Sequence, residues 1–171
     1  LFRSTRFLWN KAFAMNLSRL KDRQHILYYQ ELNFFSKLWK KSDEYGFLKE
    51  CPSQAIQQKL KDLEKAFKDC FDKKQPNKRL PKFKKKGQGD SFRYPQGFKV
   101  SGNQVFLPKL GWLRFRKSRE IKGVIKNITV SGNSDNWYIS IQVEQELQAP
   151  EHPSTSIVGI DMGVSRFATL S

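Results

Sequence analysis

Asp161 is the residue of this chain best placed to do chemistry. It closes an apolar run carrying Ile157, Val158 and Ile160, and Met162, Gly163 and a second run from Val164 to Leu170 follow at once. The pattern predicts a buried strand, a tight Gly-containing connection and a second strand, with the carboxylate near the end of the first. A carboxylate there is costly to bury unless it is paired, hydrogen-bonded or holding a cation. Two readings fit: a turn residue beside Gly163, or a hard oxygen ligand that holds magnesium beside a phosphate. The local run does not choose between them.

The remaining candidates are basic. The chain has 171 residues and a formal net charge of +16. Such an excess predicts an anionic polymer as partner, because each phosphate met by Lys or Arg releases condensed counterions. Nucleic acid comes first and an anionic membrane surface second. No apolar run approaches the roughly 20 residues of a spanning helix, and no signal peptide opens the chain. The expectation is therefore a cytoplasmic protein with no membrane partner. Cys51 and Cys70 are the only cysteines and form no CxxC, so they read as reduced core thiols with no disulfide partner.

The charge is segregated. Lys78 to Lys86 carries six basic residues and no acidic one, and further Lys and Arg recur as far as Lys126. From Asn127 to Ser165 there is neither Lys nor Arg, while Asp135, Glu144, Glu146, Glu151 and Asp161 are acidic. This reads as a polyanion-binding half followed by a cation-binding half. The candidate nucleic-acid contacts are Lys82, Phe83, Lys84, Lys85 and Lys86, joined by Arg93, Tyr94 and Lys109. Lys and Arg would meet phosphates and the rings would stack on bases. A flexible charged linker is the plainer reading of the same stretch.

The elements that must position these residues are legible in outline. Apolar stripes at helical spacing run through Phe2, Trp9, Phe13, Leu17 and Leu20, then Tyr28, Leu32, Phe35 and Trp39, then Ile56, Leu60, Leu63 and Phe67. A helical bundle over 1–72 is expected, a helix-turn-helix being one form of it. A basic linker over 73–89 follows. From Ser91 the period becomes two, and short strands between Gly and Pro residues predict a small antiparallel, OB-like barrel over 90–148. A Pro-bearing linker, 149–155, leads to the strand–turn–strand of 156–171. The fold class is therefore α+β.

These parts, in this order, resemble the TnpB (OrfB) family of insertion-sequence proteins, RNA-guided DNA endonucleases related to compact type V CRISPR effectors. The resemblance rests on Ser4–Asn10, Pro52–Gln54, Leu60–Phe67, Leu80–Lys86, Ser91–Tyr94, Leu107–Trp112 and Ile160–Gly163. It implies a helical recognition lobe, a wedge barrel, and then the first strands of a RuvC-like domain of the ribonuclease-H-like class. Asp161 would be its first catalytic carboxylate and a magnesium ligand, and guide RNA and target DNA the partners. The family's further carboxylates and its Cys-rich zinc ribbon are not found in this sequence, which is expected to be an amino-terminal fragment. A two-metal site needs several carboxylates around cations about 4 Å apart, so this chain alone is expected to cut nothing. A nuclease-inactive RNA-guided DNA-binding protein and a plain basic RNA-binding protein remain as alternatives. The Gly-Ile-Asp-x-Gly run also resembles the first phosphate loop of actin-like and sugar-kinase ATPases.

Overall fold

The computed structural model of the protein describes residues 1–133, 136–146, 160–161 and 169–170. Three helices come first: α1 (Phe2–Lys21), α2 (Tyr29–Lys41) and α3 (Ser53–Phe71), with a short 3-10 helix at Gly46–Glu50 between α2 and α3. The strands that follow are β1 (Asp90–Tyr94), β2 (Lys99–Ser101), β3 (Gln104–Leu107), β4 (Gly111–Arg114), β5 (Val124–Asn133) and β6 (Asn136–Glu144). The expected α+β class is borne out.

The three helices differ in how openly their sequence declares the buried face. In α3 the stripe is plain: Ile56, Leu60, Leu63 and Phe67 are all buried. Pro52 stands at its N-cap, where a fixed φ and a missing N–H cost nothing. In α1 the buried face is Thr5, Leu8, Trp9, Ala12, Phe13 and Asn16, while Leu17 and Leu20 are only partly covered. Its polar members are held inside by hydrogen bonds. The Asn16 amide donates to Leu27 O at 2.9 Å and its Oδ1 accepts from Leu27 N–H at 2.8 Å, which holds the α1–α2 connection against the helix. At the start of α2, the backbone N–H of Tyr28 donates to Glu31 Oε2 at 2.9 Å.

The strands form two three-stranded antiparallel sheets, ordered β1-β5-β6 and β2-β3-β4. Among the described residues no ladder joins the two, and they are united by packing. Phe92 opposes Val130 and Tyr94 opposes Ile128 across β1–β5; all four are buried in one core with Val105 and Leu107 of β3 and the helical residues Leu8, Phe13, Leu60 and Phe67. β6 is an edge strand. Its alternation is as the sequence predicts, with Ile139 and Ile141 packed on the core, but Trp137 and Val143 on the same face are exposed because little covers the strand's ends.

Gly123 precedes β5 at φ +95°, and a Cβ there would stand 2.3 Å from Glu144 O. Only glycine fits that approach. Cys51 is fully buried, which pushes its thiol up to about 11, whereas Cys70 is half-buried. No helix among the described residues is long and apolar enough to cross a membrane. A two-residue ladder pairs β7 (Ile160–Asp161) with β8 (Thr169–Leu170), antiparallel, with Asp161 opposite Thr169. The expected linker at 149–155, Gly163 and most of the second run lie outside the described residues.

Candidate nucleic-acid interface

The basic segment is laid along α1 by backbone hydrogen bonds. Trp9 Nε1 donates to Lys82 O at 3.0 Å. The Asn10 side-chain amide takes both backbone groups of Lys84, donating to its O at 3.0 Å and accepting from its N–H at 2.8 Å. Phe13 meets Phe83 edge to face, with ring centroids 4.9 Å apart. Trp9, Asn10 and Phe13 lie within about one turn of α1, so one helix face reads out the extended conformation of Lys82–Lys84.

Just beyond, Asp90 fastens the far end of the segment. Arg6 Nη1 lies 2.9 and 3.0 Å from its two oxygens, and Gly87 N–H donates to Oδ2 at 3.1 Å. The pair is largely shielded from water, so both charges depend on it.

This anchoring leaves the charge free. Lys82, Lys85 and Lys86 are exposed, and Phe83 keeps 53% of its surface open. None of the ion pairs among the described residues involves Lys82, Lys84, Lys85 or Lys86. Lys84 sits over the Trp9 ring, 4.4 Å from its centroid. The result is a row of cations on a fixed backbone beside a half-open ring, the arrangement that tracks a phosphodiester chain. By contrast Lys11 is occupied, donating to Tyr45 Oη at 2.9 Å and lying 4.3 Å from that ring's centroid.

Replacing Asn10 with Ala should detach Lys84 from α1. The expected cost is about 1–3 kcal/mol for the orphaned backbone groups, read as a shift of the urea midpoint. Faster tryptic cleavage between Lys82 and Lys86 should accompany it.

The other three candidates are placed differently. Arg93 Nη2 donates to Asp62 Oδ1 at 2.7 Å and to Gln58 Oε1 at 3.3 Å, so its charge is shared with α3. Lys109 has a left-handed backbone at φ 66° and its ammonium reaches Lys49 O. Tyr94 is a core residue, and here the sequence expectation needs correction. It is fully buried, its hydroxyl donates to Pro108 O at 3.0 Å, and burial pushes its phenol up to about 12. No face of its ring is open to a base.

Two features escaped sequence reasoning. Lys59 falls on the α3 stripe, three residues after Ile56, and is buried; a cation at a core-facing position was the available signal. The second is an open cavity of about 790 Å³ between the sheets, walled by Phe2, Phe92, Leu113, Trp137 and Ile139, with Arg114 and Arg116 also lining it. Trp137 stacks on Phe2 at 4.8 Å and is two-thirds exposed. Aromatic and cationic groups share its wall.

Asp161 is described through its backbone ladder alone. Among the described residues no three His, Cys, Asp or Glu side chains converge as a metal site. A magnesium role for Asp161 rests on the family resemblance.

No family model matches the chain. It is 47% identical over 168 residues to a protein of Escherichia coli (strain K12) named "Putative RNA-guided DNA endonuclease InsQ", covering 97% of this chain and 41% of that protein. A Streptomyces pristinaespiralis protein named "Putative RNA-guided DNA endonuclease" is 29% identical over 174 residues, covering 99% of this chain and 43% of that protein. The chain thus spans about two-fifths of the length of the curated relatives it matches. Nearly all of its residues align to both relatives, a likeness consistent with the TnpB (OrfB) resemblance that its motifs carry.

Proposed function

We propose that this chain is the nucleic-acid-gripping portion of an RNA-guided DNA endonuclease of insertion-sequence origin. The observation that carries the reading is the basic segment Lys82–Lys86, fixed on α1 with its charges uncompensated, in a chain whose relatives are named RNA-guided DNA endonucleases. Guide RNA and target DNA are the partners. Base pairing between them reads sequence, and the protein supplies backbone affinity. Lys82, Lys84, Lys85 and Lys86 meet phosphates, Phe83 offers a stacking face, and Arg93 and Lys109 are further phosphate contacts.

Within this proposal Asp161 supplies one carboxylate of a RuvC-like site. Magnesium bound by such a site would activate the attacking water and stabilise charge on the scissile phosphate. A single aspartate holds no such pair of ions, so the chain by itself is expected to bind and not to cut.

The test uses the protein at the length of its relatives, with guide-matched DNA and magnesium. Asp161→Ala should abolish cleavage while leaving DNA binding within about twofold of the parent. Equal cutting by both proteins removes Asp161 from the chemistry, and absence of cutting by the parent favours a guide-directed binding protein.

A further inference from the structure

Lys59 is the one lysine buried in the core-facing stripe of α3, with 5% of its surface exposed. Its nearest carboxylate oxygen, Asp62 Oδ2, is 3.8 Å away, beyond hydrogen-bonding distance, and Asp62 is already engaged at 2.7 Å by Arg93. The positive charge of Lys84, on the basic segment, also acts on Lys59. Two cations from separate elements, Lys59 and Arg93, therefore face a single carboxylate. A cavity of about 160 Å³ opens beside Lys59, Asp62 and Arg93, with Gln58, Ser91, Phe92 and Thr129 completing its wall. Gln58, Ser91 and Thr129 bring uncharged polar side chains to its wall.

Burial removes Lys59 from water, and this, with the positive charges of Lys84 and Arg93, holds its ammonium down at about 8 despite Asp62. Folding gains nothing from such a residue. Between pH 8 and the usual lysine range the unfolded chain binds more protons than the folded one, so stability rises with pH through that window, and below it the full cost is borne. A buried cation beside a second one, with one carboxylate between them and an open cavity, can take up an anion.

We propose that the cleft between α3, β1 and β5 is a phosphate site, in which a backbone phosphate of a bound nucleic acid seats between Lys59 and Arg93. This rests on the polyanion-binding reading above and deepens it. The exposed lysines lead the strand along α1, while Lys59 fixes the register of one phosphate from below.

The probe is a short mixed-sequence RNA oligonucleotide, titrated at several salt concentrations against the wild-type chain and three variants. Lys59→Met should melt at or above the wild type, because a buried charge is replaced by an apolar side chain of similar length. Its RNA affinity should fall about five- to tenfold near 0.1 M salt, with a salt slope flatter by about one. Asp62→Asn removes the competing carboxylate and should tighten binding several-fold more than the charge-matched surface control Glu44→Gln. Lys59→Met binding with wild-type affinity and slope would overturn the site while leaving the general reading intact. A Lys59→Met chain that melts well below the wild type also contradicts it, since Lys59 would then serve the fold. Asp62→Asn no tighter than Glu44→Gln counts against it in the same way. Wild-type chain without salt-sensitive RNA affinity would bring down the polyanion reading itself.

Discussion

Replacing Lys82, Lys84, Lys85 and Lys86 together with Gln is expected to weaken RNA oligonucleotide binding roughly 100- to 1,000-fold near 0.1 M salt. The size of the effect follows from counterion release. Each lysine that meets a phosphate of a single strand adds about 0.7 to the slope of log affinity against log salt, so four of them contribute about 3. None of these lysines is in an ion pair among the described residues. Their removal therefore strands no buried partner, and the backbone anchors at Trp9 and Asn10 do not depend on their side chains. The variant should lose no more than about 1 kcal/mol, from the contact of Lys84 with the Trp9 ring. Filter binding over a salt series, with a thermal melt as control, checks both halves.

Phe67→Ala has the largest expected effect on the fold, a loss of about 3–5 kcal/mol. The ring is 1% exposed and packs between Phe13, at 5.9 Å, and Phe71, at 6.2 Å. Phe13 in turn carries Phe83 on its edge. The chain of contacts runs from the centre of the helical core to the binding segment, so the cavity left by Phe67 should be felt at the surface. Denaturant unfolding should show the midpoint falling, and the fluorescence of Trp9, which sits beside Lys82 and Lys84, should report loosening of the segment before global unfolding.

How much of this was legible in the sequence depends on what each residue type can say by itself. The α3 stripe was readable because its apolar residues recur at helical spacing and all of them are buried. In α1 the buried face includes Thr5 and Asn16, whose reasons for being inside are hydrogen bonds to particular backbone groups. Hydrophobic periodicity cannot see such reasons, so it picks out Leu17 and Leu20 and passes over Asn16. β6 shows a related limit. Alternation gave the parity of its faces, but how far the core extends along an edge strand is a tertiary fact, and it leaves Trp137 exposed.

The candidate site divides in the same way. The run from Lys82 to Lys86 was plain from composition, yet its fixed course was not, because Asn10 lies 74 residues from the Lys84 backbone it holds. Tyr94 illustrates the opposite error. Placed beside Arg93 it looked like an interface aromatic, but strand alternation turns it inward, where Pro108 O satisfies its hydroxyl. Lys59 was visible as a cation on the stripe, but only the convergence of α3 and β1 shows that Arg93 already holds the carboxylate beside it.

The central claim is that a row of uncompensated cations on an anchored backbone grips a nucleic-acid strand through its phosphates. Titration of the wild-type chain with a mixed-sequence RNA oligonucleotide across a salt series tests it most directly. Four exposed or half-exposed lysines and the buried Lys59 predict a linear decline of log affinity with log salt, of slope about −3.5, with little change when the sequence is scrambled. Affinity that is weak at every salt concentration, or a slope near zero, would contradict it.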